Sequence, residues 1–213
     1  MKYRHVVFDI DGTLTDTYRP VMKALSDAVF RITGKRHTMD ELRFAFGRPG
    51  EEGLRMVGVK DTAAGLRLWN AFLLERYFQE ITLFDGVLPM LSALSEAGVS
   101  LGVITSKNLE EYQDTFITPY PEAARLLPQV VTVDQTARGK PFPDPMLAYL
   151  KKTGASAREV LFIGDTVYDM SCGLDAGADF GLALWGSQDP ETVTDATYRF
   201  QTPEELLKTV LSL

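Results

Sequence analysis

Val6-Val7-Phe8-Asp9-Ile10-Asp11-Gly12-Thr13-Leu14-Thr15 is the segment from which the architecture of this chain can be built. Its apolar first part carries no charge and is rich in strand-favouring residues, which predicts a strand buried on both faces. Side chains two apart on a strand point the same way, so Asp9 and Asp11 can address one site. That site would lie at the carboxyl end of the strand, where open α/β sheets bind ligands. The alternative is a strand followed by a solvated Asp-Gly turn.

Composition narrows the class of protein. The 213 residues include 22 basic and 29 acidic side chains, a net charge of −7, with no basic block, which argues against a nucleic-acid partner. The single cysteine, Cys172, excludes an internal disulfide and a cysteine-based zinc cage. No apolar run approaches transmembrane length, and Asp9 interrupts the N-terminal one, so neither a membrane span nor a signal peptide is expected. We expect a cytoplasmic protein without a membrane partner.

Two patterns of hydrophobic spacing divide the chain. Residues 17–83 show helical periodicity without a convincing strand, as in Val21–Thr33 and Thr62–Ile81. Strands and helices alternate after that block, which predicts a parallel, doubly wound sheet. The sequence therefore predicts an α/β fold: a Rossmann-like core of residues 1–16 plus 84–213, with an all-α cap domain inserted at 17–83.

The individual elements of the core follow from the same patterns. Predicted strands are Tyr3–Asp9, Ser100–Thr105, Val130–Val133, Val160–Gly164 and Phe180–Leu184. Predicted helices are Val87–Ala97, Leu109–Phe116, Pro145–Thr153 with Asp144 as its N-cap, Val167–Ala176 and Pro203–Leu211. The proline-broken stretch 119–128 is ambiguous.

Polar side chains recur where predicted strands end. Thr105-Ser106-Lys107 follows one strand and Gly164-Asp165-Thr166-Val167-Tyr168-Asp169 another, while Gly139-Lys140-Pro141 lies in a loop. Each is explicable alone as a helix cap or a surface charge. Together they place carboxylates, a hydroxyl and an ammonium at one edge of one sheet, where a phosphate with a magnesium ion would fit.

These motifs resemble those of the haloacid dehalogenase superfamily, in its phosphatase branch. Asp9-Ile10-Asp11-Gly12-Thr13-Leu14 is similar to the first family motif, Thr105 to the second, Lys140 to the third and Gly164-Asp165-Thr166-x-x-Asp169 to the fourth. Gly139-Lys140-Pro141-x-Pro143-Asp144 and Asp175-Ala176-Gly177-Ala178 match the phosphoglycolate-phosphatase-like subgroup. The motifs agree in order and spacing, and each is weak alone.

The resemblance implies a Mg²⁺-dependent hydrolysis of a small phosphorylated metabolite. Asp9 would attack phosphorus and form an aspartyl-phosphate, and Asp11 would act as general acid and then general base. Lys140 would neutralise the phosphoryl group, and Thr105 would hydrogen-bond it. The metal ligands implied are Asp9, the backbone carbonyl of Asp11, Asp165, and Asp169 as an additional or outer ligand.

Three rival functions remain open. A phosphomutase of the β-phosphoglucomutase type would carry a histidine soon after the first motif, and residues 15–21 have none. A dehalogenase would not keep the second aspartate, whereas Asp11 and Asp165 are both present. A receiver-like phospho-signalling module would carry its phosphorylated aspartate on a later strand and would lack the helical insertion.

Other residues have two readings. Gly12 donates a backbone N–H to phosphate or only serves the turn, and Ser106 is a neighbouring candidate phosphate ligand. Arg48, in Gly47-Arg48-Pro49-Gly50, reaches a substrate anion or is simply solvated. Neither the natural substrate nor the oligomeric state is readable from the sequence.

Overall fold

The computed structural model describes residues 2–48 and 50–212 and consists of two compact units. One is formed by Met1–Leu14 together with Leu83–Leu213, and the other by Thr15–Thr82. The second unit is thus an insertion into the first.

A six-stranded parallel sheet forms the centre of the larger unit. The strands of the chain are β1 (His5–Phe8), β2 (Thr15–Asp16), β3 (Thr82–Leu83), β4 (Ser100–Ile104), β5 (Gln129–Val131), β6 (Val160–Gly164), β7 (Asp179–Ala183) and β8 (Tyr198–Phe200). The order in the sheet is β5-β4-β1-β6-β7-β8, and the short β2 and β3 pair separately. The predicted α/β fold with a doubly wound parallel sheet is therefore confirmed.

Strand β1 lies where the winding direction reverses. Val6 pairs with Leu101 of β4 on one side and with Leu161 of β6 on the other. The chain runs outward from β1 to β4 and β5, then returns to lay down β6, β7 and β8 on the opposite side. The carboxyl end of β1 is therefore the topological switch point, where such sheets bind ligands.

Helices occupy the connections. They are α1 (Tyr18–Thr33), α2 (Met39–Leu42), α3 (Gly50–Met56), α4 (Thr62–Phe72), α5 (Val87–Glu96), α6 (Leu109–Tyr112), α7 (Pro121–Leu126), α8 (Asp144–Thr153), α9 (Val167–Asp175) and α10 (Pro203–Leu211). A π-helical turn extends α4 over Leu73–Tyr77, and another extends α6 over Gln113–Ile117. No helix among the described residues combines the length and apolar character needed to cross a membrane.

Alternating side chains of β1 fill two separate cores of the larger unit. Val6 and Phe8 pack into the cluster that contains Leu91 of α5, whereas Val7 packs into the cluster that contains Tyr149 of α8. All three β1 side chains are completely buried. Because both faces of this strand are buried, its side chains do not alternate between apolar and polar. This explains the continuous apolar run in the sequence.

The smaller unit has its own hydrophobic core. Trp69 of α4 packs with Leu25 and Val29 of α1, and its indole N–H donates to the Val21 carbonyl at 3.0 Å. Its regular secondary structure is helical between α1 and the 3₁₀ turn Phe78–Glu80. The helical stripe seen in the sequence is thus the packing face of this unit.

The predicted elements missed the two-residue strands β2 and β3 as well as β8, and they misplaced the N-cap of α8. Strand β8 was missed because it is a three-residue edge strand with one exposed central side chain, too short for a periodic signal. Asp144 is not the N-cap of α8 but its first residue, and Pro143 occupies the cap position. The Asp144 carboxylate instead accepts hydrogen bonds from Arg138 Nε and Nη2 at 3.1 and 2.8 Å. The ambiguous stretch 119–128 contains α7.

Candidate active site

Asp9 follows the last residue of β1 at the switch point. Its backbone N–H donates to the Ile163 carbonyl at 2.9 Å, which extends the β1–β6 ladder by one residue and fixes the Asp9 backbone. The side chain is only 10% exposed. A buried carboxylate needs a counter-charge, and the structure supplies one.

Lys140 provides that charge from the loop between β5 and α8. Its Nζ atom lies 2.8 Å from Asp9 Oδ1 and 2.6 Å from Asp169 Oδ1, and its side chain is 6% exposed. A single ammonium therefore bridges two carboxylates that come from different segments of the chain. This is the convergence predicted for the edge of the sheet.

Asp165 and Asp169 are placed by the end of β6 and the start of α9. Thr166 caps α9, because its Oγ1 accepts from the Asp169 N–H at 3.3 Å while Asp169 Oδ2 accepts from the Thr166 N–H at 3.1 Å. The cap uses Asp169 Oδ2, so Asp169 Oδ1 is available to contact the Lys140 ammonium. Thr13 Oγ1 donates to Asp165 Oδ1 at 3.2 Å, which orients the other carboxylate.

The electrostatics follow from burial and crowding. Burial raises the pKa of Asp9 to about 7, with the Lys140 ammonium opposing the rise and the Asp169 and Asp11 charges adding to it. Burial, followed by the charges of Asp169 and Asp9, raises the pKa of Asp165 well above its usual range. Burial alone would lower the pKa of Lys140, but the charges of Asp169 and Asp9 outweigh it and raise that pKa. The lysine therefore stays protonated beside Asp9 and Asp169.

The cluster has the donor chemistry of a Mg²⁺ site. Carboxylate oxygens of Asp9, Asp165 and Asp169 lie within 4.8 Å of one another, and all three residues are buried. Asp165 Oδ2 has no hydrogen-bond partner among residues 2–48 and 50–212, although it is buried. A buried oxygen left without a donor is costly, and a hard divalent cation that prefers oxygen ligands would satisfy it. The residues present therefore fit such a metal.

Asp11 and Thr105 both contact Lys107. The Asp11 carboxylate is 31% exposed and forms an ion pair with Lys107 at 2.8 Å, so it is not among the three clustered carboxylates. Thr105 is buried after β4, and its Oγ1 accepts from the Lys107 N–H at 3.2 Å. Ser106 is exposed. Lys107 was noted in the sequence only as part of a strand end. In the structure its ammonium contacts Asp11 and its backbone N–H contacts Thr105.

A segment after β7 also supports the site, although it contains no charge or motif by which sequence analysis could have found it. Trp185 Nε1 donates to the Thr13 carbonyl at 2.8 Å, and Ser187 Oγ donates to the Asp165 carbonyl at 2.6 Å. A Cβ atom on Gly186 would overlap the backbone oxygen of Gly12. These contacts hold the two loops that carry Gly12 and Asp165.

Arg48 belongs to the unit formed by Thr15–Thr82. Its Nε donates to the Phe44 carbonyl and its Nη1 to Glu52 Oε1, both at 2.8 Å. Pro49, in the same predicted loop, lies outside the described residues. A role for Arg48 in binding a substrate anion stays a prediction.

The geometry defines a class of protein: a doubly wound α/β protein with a buried acidic site and one lysine at the switch point of its sheet. In that setting a carboxylate can serve as nucleophile or metal ligand, and the ammonium can neutralise an anion.

Comparison with known proteins identifies the family. The family model described as haloacid dehalogenase-like hydrolase matches residues 6–183. The chain belongs to this family, and it is an enzyme of the family's phosphatase branch, similar to phosphoglycolate phosphatases.

The individual relatives cover nearly all of the chain. An N-acetylmuramic acid 6-phosphate phosphatase from Pseudomonas aeruginosa is 30% identical, over 90% of this chain and 86% of the relative. A phosphoglycolate phosphatase from Xylella fastidiosa is 31% identical, over 88% of this chain and 83% of the relative. A crystal structure from Lactobacillus plantarum, provisionally named a phosphoglycolate phosphatase, has a TM-score of 0.88 and 27% identity, over 98% of this chain and 99% of the other.

Proposed function

We propose that this protein is a Mg²⁺-dependent phosphohydrolase that cleaves a small phosphate monoester through an aspartyl-phosphate intermediate. The observation that carries the proposal is the position of Lys140 Nζ, 2.8 Å from Asp9 Oδ1 and 2.6 Å from Asp169 Oδ1. An ammonium held against the proposed nucleophile can receive the negative oxygens of a phosphoryl group that approaches Asp9.

The residues of the chain divide the reaction between them. A carboxylate oxygen of Asp9 attacks phosphorus, the bond from phosphorus to the leaving oxygen breaks, and Asp11 protonates that oxygen. Asp11 then takes a proton from the water that attacks the aspartyl-phosphate, which releases inorganic phosphate and restores Asp9. Lys140 and the Thr105 hydroxyl orient the phosphoryl oxygens in both steps.

Mg²⁺ would be held by the carboxylates of Asp9, Asp165 and Asp169, with the backbone carbonyl of Asp11 as a further ligand. Bound there, the ion supplies positive charge that offsets repulsion between an anionic substrate and the acidic cluster. The support for this ligand set is the proximity of three buried carboxylates and the unpaired Asp165 Oδ2.

The substrate we propose is a small phosphorylated metabolite such as phosphoglycolate or a sugar phosphate. The relatives named above act, by their names, on phosphoglycolate and on N-acetylmuramic acid 6-phosphate. Gly12 and Ser106 are candidate phosphate ligands, and Arg48 is a candidate ligand for a second anionic group. If Arg48 has that role, Arg48→Met raises KM for a substrate that carries a carboxylate and leaves KM for 4-nitrophenyl phosphate unchanged.

Turnover of 4-nitrophenyl phosphate and of a panel of phosphorylated metabolites tests the proposal. We expect many product molecules per enzyme with Mg²⁺, loss of activity with EDTA, and loss of turnover in Asp9→Asn with an unchanged circular dichroism spectrum. Asp114→Asn, which removes an exposed carboxylate instead, is the matched control. Activity that survives in Asp9→Asn would reject the nucleophile, and a single stoichiometric phosphorylation without turnover would favour a signalling module.

A further inference from the structure

We propose that Lys107 is a positioning residue that orients the carboxylate of Asp11 for proton transfer to the leaving group. The proposal rests on the function proposed above, in which Asp11 is the general acid. It begins from the 2.8 Å contact between Lys107 Nζ and Asp11 Oδ2.

The environment of this ion pair differs from that of ion pairs on the protein surface. The Lys107 side chain is 16% exposed, whereas the lysine of the Lys208–Glu204 pair is 58% exposed. Exposed pairs hold their partners loosely, because solvent screens the attraction and long side chains retain their freedom. A lysine with little access to water depends on its carboxylate partner, so this contact restrains Asp11 more firmly than a surface pair would.

The backbone of Lys107 is fixed on both sides. Its N–H donates to Thr105 Oγ1 at 3.2 Å, and its carbonyl accepts from the Val133 N–H at 3.0 Å. The second bond joins the loops that follow β4 and β5, which are neighbours in the sheet. The ammonium that meets Asp11 is therefore carried by a loop anchored to the scaffold.

The same loop also carries the proposed phosphate ligand Thr105. The Thr105 hydroxyl oxygen accepts from the Lys107 N–H through a lone pair, so the single hydroxyl hydrogen is not used in this bond and can be donated to a phosphoryl oxygen. One short segment thus sets the position of a phosphate ligand and of the acid that serves the leaving oxygen. A fixed relative position of these two groups is what proton transfer in the transition state requires.

A positioning role for the acid predicts dependence on the leaving group. Departure of an alkoxide from an alkyl phosphate needs a proton, whereas 4-nitrophenolate is a weak base that can leave without one. A protein that lacks Lys107 keeps Asp9, Lys140 and the carboxylate of Asp11, but the acid is no longer held in place. Loss of Lys107 should therefore impair alkyl phosphates selectively.

The experiment compares kcat/KM for glycerol 2-phosphate and for 4-nitrophenyl phosphate, since this ratio reports on the steps up to leaving-group departure. We expect Lys107→Met to lower kcat/KM for glycerol 2-phosphate ~30-fold and that for 4-nitrophenyl phosphate less than ~3-fold. The first loss is smaller than the ~10²–10⁴-fold that general acid catalysis contributes, because Asp11 itself remains. Lys107→Arg, which keeps a cation, should restore most of the difference. Lys151→Met removes an exposed lysine and should leave both values unchanged.

Asp11→Asn separates this inference from the function on which it rests. It should show the same selectivity, and the double variant Asp11→Asn/Lys107→Met should lose no more than Asp11→Asn alone, because the two residues act through one proton transfer. If Asp11→Asn is selective and Lys107→Met impairs both substrates equally or neither, the role of Lys107 is rejected alone. If Asp11→Asn is not selective, the acid role of Asp11 fails and the role of Lys107 fails with it. Should Lys107→Met not fold, Lys107→Gln replaces it with the same two outcomes.

Discussion

Gly12 packs so closely against Asp165 that a Cβ atom on Gly12 would overlap the Asp165 Oδ2 atom. The backbone of Gly12 also has a φ of +75°, in the left-handed region that favours glycine. The glycine of the first motif is therefore required by the carboxylate of the fourth, although the two are far apart in the sequence.

Gly12→Ala should reduce activity far more than it reduces the stability of the fold. We expect turnover to fall ~100-fold, because the displaced Asp165 carboxylate no longer meets its partners. Backbone strain should lower the free energy of unfolding by ~1–2 kcal/mol. Gly98→Ala is the matched control, since Gly98 has a φ of +79° and open space around its Cβ position. Equal activity losses in the two variants would show that strain, not the displaced carboxylate, is responsible.

Lys140→Met should destabilise the metal-free protein. It removes the ammonium that bridges Asp9 and Asp169, leaving buried carboxylates without a counter-charge. We expect the free energy of unfolding to fall by ~3 kcal/mol without metal, as for other broken buried pairs. Saturating Mg²⁺ should narrow the gap, because the ion supplies the missing charge. Chemical unfolding with EDTA and with Mg²⁺ measures both values, and an unchanged metal-free stability would contradict the assigned role of Lys140.

Ser187→Ala tests the segment after β7. Loss of the 2.6 Å hydrogen bond to the Asp165 carbonyl should loosen the loop that carries this proposed ligand. We expect Mg²⁺ affinity to fall ~10-fold by isothermal titration calorimetry, as when groups that orient metal ligands are removed. Ser95→Ala, an exposed serine on α5, provides the comparison. Identical affinities in the two variants would mean that Ser187 does not support the site.

Asp179→Asn should change how stability responds to acid. Partial burial works against ionisation of Asp179, but hydrogen bonds from Lys2 and Tyr3 prevail, and its pKa lies below its ordinary value. A lowered pKa in the folded state means that this carboxylate stabilises the protein above pH ~4 and loses that effect as pH falls further. The Tm difference between wild type and Asp179→Asn should therefore shrink between pH 7 and pH 3. A difference that grows on acidification would reverse the assigned sign.

The sequence predicted the features that depend on local pattern. The apolar run before Asp9 predicted the central strand, and the polar ends of β4 and β6 predicted which edge of the sheet carries the site. The family resemblance pointed to Lys140, which no periodic pattern reveals, because its place depends on how the loop before α8 folds. Its contact with Asp169 confirms that the loop returns to this edge.

The features that sequence analysis missed are long-range contacts of ordinary residues. Trp185 and Ser187 donate hydrogen bonds to backbone carbonyls. Every residue has a backbone carbonyl, so the residue types at the acceptor positions do not reveal these bonds. Lys107 was visible but had no assigned partner, because its pairing with Asp11 requires β4 and β1 to be neighbours. Asp144 was predicted as an N-cap because aspartate often caps helices. In the structure its carboxylate accepts two hydrogen bonds from Arg138 instead.

The central position of β1 imposes an order on the assembly of the nascent chain. His5–Phe8 is synthesised about 150 residues before its second neighbour in the sheet, β6, which begins at Val160. At about 5–20 residues per second, a ribosome needs roughly 8 to 30 seconds to reach that partner. Throughout this interval the apolar strand lacks the pairing that covers its second edge. We expect productive synthesis of this protein to depend on chaperones that shield such exposed segments, and aggregation to increase when translation slows before β6.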